Sequence, residues 1–109
     1  MLIVKKFGGS SVANAERINH VAQTIVNSYK DGNKVVVVLS AQGDTTDELI
    51  EKAKEINPNA SKREMDMLLS TGEQQSVALM AMAINKLGYP AISLNAFQCN
   101  IYSTSTYSN

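Results

Sequence analysis

Cysteine occurs once in this chain, at Cys99, so no internal disulfide can form, and a lone thiol fits a reducing compartment. The residue is expected to serve as a small buried hydrophobe rather than as a reactive thiol. Surplus charge is absent as well. Ten Lys and Arg balance ten Asp and Glu, which excludes the one-signed bias of nucleic-acid binders and membrane-surface binders. The longest apolar run, Val77 to Ile84, falls far short of the roughly 20 residues of a membrane span. The start lacks the layout of a signal peptide, because Lys5 and Lys6 follow the short apolar stretch instead of preceding it. Also missing are the G-x-G-x-x-G fingerprint, the Walker A loop, a nucleophile triad, a metal-ligand cluster and internal repeats. What remains is a cytoplasmic protein with a small ligand, no nucleic acid and no membrane. At 109 residues it is one domain at most.

What is present is an alternation of strand and helix signals. Leu2 to Phe7 is expected to be a central parallel strand, apolar on both faces and covered by helices on each side. From Asn14 to Tyr29, the residues Ala15, Ile18, Val21, Ala22, Ile25, Val26 and Tyr29 recur at helical spacing, and Asp31-Gly32 closes the helix. Val35 to Leu39 is a β-branched strand, which makes a βαβ unit. The next helix carries Leu49, Ile50 and Ala53, with Thr45, Thr46 or Asp47 as its cap, and ends at Asn57-Pro58. Ser61 and Glu64 form a capping box. Thr71-Gly72-Glu73 reads as a break before a further helix that presents Val77, Met80, Ala81 and Ile84 and stops at Gly88. Ala91 to Leu94 is expected to be a third strand. The polar end, Ile101 to Asn109, has no turn or cap that closes a domain and reads as a chain cut in passing.

Two loops stand out. Lys6-Phe7-Gly8-Gly9-Ser10-Ser11 joins the first strand to a helix pattern, a layout that lets backbone N–H groups and a helix N-terminus face a phosphate, with Lys6 supplying full charge. The same layout also serves as plain connection chemistry. Ser40 to Asp47 adds hydroxyls from Ser40, Thr45 and Thr46 and a close backbone approach at Gly43. Both loops follow parallel strands, so both open on the edge where α/β sheets bind ligands. Plainer roles are assigned elsewhere. His20 is a surface residue, Met65, Met67, Met80 and Met82 are helix packing, Lys5 is a solvated neighbour of Lys6, and Glu51, Lys52, Lys54 and Glu55 are a wet helix face.

Lys6-Phe7-Gly8-Gly9-Ser10-Ser11-Val12, Val37 to Asp47 and Glu64 to Glu73, in this order and spacing, resemble the N-terminal part of the aspartate kinases (aspartokinases) of the amino-acid kinase superfamily. The resemblance spans nearly all of residues 1–109 but well under half of that family's catalytic domain. It implies an α/β fold, a partial three-layer αβα sandwich with a mainly parallel sheet, in which residues 1–109 are the N-terminal portion of one kinase domain with no second domain. It implies a transferase that uses ATP and Mg2+ to phosphorylate the side-chain carboxylate of L-aspartate, giving 4-phospho-L-aspartate for lysine, threonine and methionine biosynthesis. Members add ACT domains for feedback control, and the full-length protein is expected to be a homo-oligomer.

By the same resemblance, Lys6 stabilises charge on the transferring phosphoryl group, and Lys6, Phe7, Gly8, Gly9, Ser10 and Ser40 bind the nucleotide. Thr46 holds aspartate and Glu73 accepts from its ammonium group. Thr45 and Thr46 also read as caps alone, and Glu73 as a helix N-terminal carboxylate. Gln42 stands where many members carry Met. The family's later catalytic Asp, substrate-clamping Arg and base pocket lie beyond these residues, so the chain by itself is expected to be a poor catalyst or none. A non-catalytic binding or assembly module and a kinase for another carboxylate or phosphate acceptor are the alternatives. An isolated sheet of this kind is expected to leave an open edge and an apolar face.

Overall fold

The computed structural model describes residues 1–94. Cys99 and the Ser/Thr-rich end therefore lie outside the described residues. Strands β1 (Leu2–Phe7) and β2 (Lys34–Leu39) pair in parallel, in a register that runs from Leu2 opposite Lys34 to Phe7 opposite Leu39. Helix α1 (Ala15–Lys30) connects them, preceded by one turn of 3₁₀ helix, Gly9–Val12. Helices α2 (Thr45–Ile56) and α3 (Lys62–Lys86) follow. The expected α/β architecture is present, and the described residues build two of its layers.

Local chemistry accounts for the boundaries. Asn14 caps α1 by accepting from the Arg17 N–H at 3.0 Å, and Gly32, with φ at +92°, turns the chain out of the helix. Ser61 accepts from the Glu64 N–H at 3.3 Å at the start of α3. Gly88, with φ at +93°, follows its end. Neither Thr45, Thr46 nor Asp47 caps α2. All three lie within its first turn, and Asp44 is the capping position, without a side-chain bond.

The core lies between the sheet and the α1–α3 pair. Ile18, Val21, Ala22, Ile25 and Val26 of α1 are buried with Val12, Leu39, Met80, Ala83 and Ile84. Tyr29 stays largely exposed and meets Tyr89 edge-on, with ring centroids 5.8 Å apart. On α2, the half-buried apolar residues are Leu49, Ile50 and Ala53, the expected three, and this helix packs on α3. Of the methionines assigned to packing, Met80 is buried and Met65 half-buried, but Met67 and Met82 are exposed.

Three expectations are corrected. First, among the described residues β1 is covered on one face only. Leu2 and Val4 are each 63% exposed, and Val36 and Val38 beside them are 48% and 46% exposed. Strand alternation sends Ile3, Lys5 and Phe7 toward the helices and Leu2, Val4 and Lys6 to the bare side, so Lys5 is half-buried and Lys6 is the solvated lysine. The open apolar face is the one foreseen for an isolated sheet.

Second, α3 runs unbroken through Thr71-Gly72-Glu73. Gly72 is buried, and a Cβ placed there would lie 2.9 Å from Ala41 Cβ and 3.2 Å from Thr45 Cγ2. The glycine serves close packing rather than a break. Third, Ala91 to Leu94 is not a strand. Pairing makes a strand, and these residues pair with none of the described ones. They line an apolar groove of about 430 Å³ with Ile25, Val35, Met80 and Ile84.

Candidate functional site

The parallel pairing of β1 with β2 sends both loops out at the same sheet edge, where Phe7 and Leu39 are register partners. The loops are joined directly. The Ser40 N–H donates to the Phe7 carbonyl at 3.2 Å, and the Gly43 N–H donates to the Gly9 carbonyl at 3.0 Å. A Cβ at Gly9 would lie 2.7 Å from the Ala41 carbonyl oxygen and 3.3 Å from the Gly43 nitrogen, so only glycine permits this contact. The close main-chain approach expected at Gly43 is made with Gly9, and Gly9 is the position where no side chain fits. Gly43 itself takes φ of +40°, a turn conformation that suits glycine.

The first loop differs from the expected strand-to-helix turn. Gly8, extended and surrounded by open space, precedes the 3₁₀ turn, and α1 begins only at Ala15. The first loop therefore leads into a short turn and not directly into the N-terminus of α1. The Ser11 N–H donates to the Gly8 carbonyl at 3.1 Å, which closes the turn. The Gly9 and Ser10 N–H groups head it. Among the described residues they have no hydrogen-bond partner, as the leading amides of a helical turn commonly lack one. Two adjacent main-chain donors thus stand beside a glycine in open space, groups of the kind that bind an anion when one approaches.

Around this point the other named residues take their places. Lys6 is exposed on the bare sheet face two positions before Gly8, and Phe7 points inward and packs on the core. Ser10 is exposed on the 3₁₀ turn and Ser40 is exposed at the end of β2. Thr46 is exposed in the first turn of α2. Glu73 is exposed and follows Gly72, whose contacts with Ala41, Thr45 and Leu49 dock α3 on the second loop and the start of α2. It lies in the interior of α3, so the reading of Glu73 as a helix N-terminal carboxylate does not hold.

Sequence reasoning gave no site role to two residues that organise this edge. Gln42 reaches across from the second loop, and Gly72 lets α3 approach it. A glycine within a helical pattern was the available signal for Gly72, since such a glycine marks either a break or a close contact. Nothing local signalled Gln42, because its partner lies 30 residues away. Among the described residues no three His, Cys, Asp or Glu side chains gather as a metal chelate, and no helix is long and apolar enough to cross a membrane.

Comparison with known proteins places these features in context. The model of the amino acid kinase family matches residues 1–109. The chain is 54% identical over 108 residues to an aspartokinase of Geobacillus stearothermophilus, and equally identical to one of Mycolicibacterium smegmatis. Each match takes in 99% of this chain and 26% of the relative, so the chain spans about a quarter of the length of these relatives. The structure of an aspartate kinase from Synechocystis superposes with a TM-score of 0.84 at 55% identity, over 86% of this chain and 16% of that one.

Proposed function

This chain belongs to the amino acid kinase family, and on that premise we propose that residues 1–109 are the N-terminal portion of an aspartate kinase domain, holding the phosphates of MgATP and one side of L-aspartate. The observation that carries the reading is the seating of the Gly9 turn on the Ala41–Gly43 loop, with the Gly9 and Ser10 amides unpartnered and Lys6 close by in sequence. Identity above 50% to aspartokinases supports the choice of acceptor.

In-line phosphoryl transfer asks a protein mainly for positioning and for positive charge on the phosphoryl oxygens. Lys6 supplies the charge. The amides of Gly9 and Ser10, with Phe7 and Gly8 shaping the loop, supply the directed donors, and Ser40 lines the same edge. Thr46 donates to or accepts from aspartate, and the Glu73 carboxylate takes its ammonium group in a charge-assisted bond. Mg2+ would come bound to the nucleotide and would supply further positive charge to the phosphates beside Lys6. The product is 4-phospho-L-aspartate, the entry to lysine, threonine and methionine biosynthesis, and the setting is the cytoplasm. The longer protein is a homo-oligomer, and this portion by itself does not complete a turnover.

The test is amide NMR of the labelled chain with MgATP and then L-aspartate. Shifts confined to residues 6–10, Ser40, Thr46 and Glu73, lost for the nucleotide in Lys6→Met and for aspartate in Glu73→Gln, are expected. A folded chain that ignores both ligands would refute the reading. Response to glutamate but not to aspartate would move it to another acceptor. The bare apolar sheet face favours a second reading, an assembly module without catalysis. That reading predicts association without any ligand response.

A further inference from the structure

Gln42 makes the one side-chain hydrogen bond among the described residues that spans more than five positions: its Nε2 donates to the Val12 main-chain oxygen at 3.0 Å. A carbonyl oxygen only accepts, so the nitrogen end of the carboxamide is the end that faces it. Val12 is fully buried and closes the 3₁₀ turn, while Gly9 opens that turn. The second loop therefore grips the turn at both ends. The Gly43 N–H holds the Gly9 carbonyl, with the Ala41 carbonyl filling the space a Gly9 side chain would need, and Gln42 holds Val12. The first grip is main chain and leaves no choice of side chain. The second depends on residue 42 alone.

We propose that Gln42 is a positioning residue that sets the aim of the Gly9 and Ser10 amides at an anionic ligand and ties the first loop to the second. The proposal rests on the phosphate-site reading above. Directed N–H donors contribute to binding charge only when they are already aimed, because reorienting them costs part of the interaction. Without the Gln42 bond the turn keeps its anchor at Gly9 and gains freedom at Val12. Donors and ligand then meet in one of several arrangements instead of one.

Two variants separate the bond from the volume. Gln42→Met keeps the length of the side chain and lacks the donor. Gln42→Glu keeps the shape and turns a carboxylate oxygen toward the Val12 carbonyl. In the labelled 109-residue chain, hydrogen exchange at the Gly43 and Ser11 amides is expected to rise about fivefold in both variants, the weight of one hydrogen bond. Exchange at Ile25 in α1 stays unchanged. MgATP affinity, read from amide shifts, falls about fivefold as the aim is lost.

Wild-type exchange and affinity in Gln42→Met would overturn the proposal, since side-chain volume would then suffice. Faster exchange with unchanged MgATP affinity would overturn the positioning role. Acceleration shared by Ile25 would show a general loss of stability and overturn it too. If the wild-type chain shows no MgATP response while the variants still exchange faster, the phosphate site fails and the clamp between the loops stands.

Discussion

Replacing Gly72 with Ala sets two effects of opposite sign against each other. Alanine in a helix interior is favoured over glycine by about 1 kcal/mol, so a glycine that merely weakened α3 would be improved by the change. The new methyl, however, would lie 2.9 Å from Ala41 Cβ, 3.2 Å from Thr45 Cγ2 and 3.6 Å from Leu49 Cδ1. Carbon atoms rest at roughly 3.5–4.0 Å, so α3 or the second loop must retreat by more than half an ångström. Ala41 has no rotamer with which to yield, and its carbonyl is already pressed against Gly9. Overpacking of a site that cannot give costs up to about 3 kcal/mol. The difference is a destabilisation of about 2 kcal/mol, which lowers the melting temperature of a domain this size by roughly 10 °C. Thermal unfolding followed by circular dichroism at the helix band reads it directly, and shifted amides at Thr45 and Leu49 locate the strain. A Gly72→Ala chain that melts at or above the wild-type temperature would refute the close-packing argument and restore glycine as a weak point of the helix.

Gly9 and Gly8 are expected to differ sharply despite being neighbours. Gly9→Ala drives a Cβ to within 2.7 Å of a main-chain oxygen and costs about 1–3 kcal/mol, whereas Gly8→Ala, extended and in open space, stays within about 0.5 kcal/mol. Urea titration of both variants checks the pair, and equal effects would contradict the loop geometry. On the bare sheet face, Val36→Thr combined with Val38→Thr keeps strand preference while removing apolar surface. Sedimentation velocity should show the wild-type chain self-associating with concentration and the double variant shifted toward monomer. A wild-type chain that stays monomeric at every concentration would remove the face as an association surface.

The strands and helices were largely legible in the residues because their causes are local. Val35 to Leu39 could hardly be anything but a strand, the α1 stripe follows the helical period, and the Asn14 and Ser61 caps act within three residues. The misreadings came where a distant partner overrides local preference. Gly72 has the composition of a helix break and the environment of a contact, and only the position of Ala41 decides between them. Ala91 to Leu94 has the composition of a strand and no neighbour to pair with among the described residues. The covering expected on both faces of β1 depended on a layer that the described residues do not supply.

The candidate site divides in the same way. The residue types at the two loops, two adjacent glycines after a lysine and a run of hydroxyls with a glycine, were determined by the sequence, and so was the sheet edge on which they open, because a parallel strand pair sends both loops out at one end. Only the tertiary structure decided that the loops touch, that Gly9 is the point where no side chain fits, that α1 starts only at Ala15, and that Gln42 and Gly72 hold the edge together. The physical reason is range. Propensity, capping and strand alternation act over a few residues and are written in the chain, whereas steric contact and a hydrogen bond spanning 30 residues exist only once packing has brought their partners within a few ångströms.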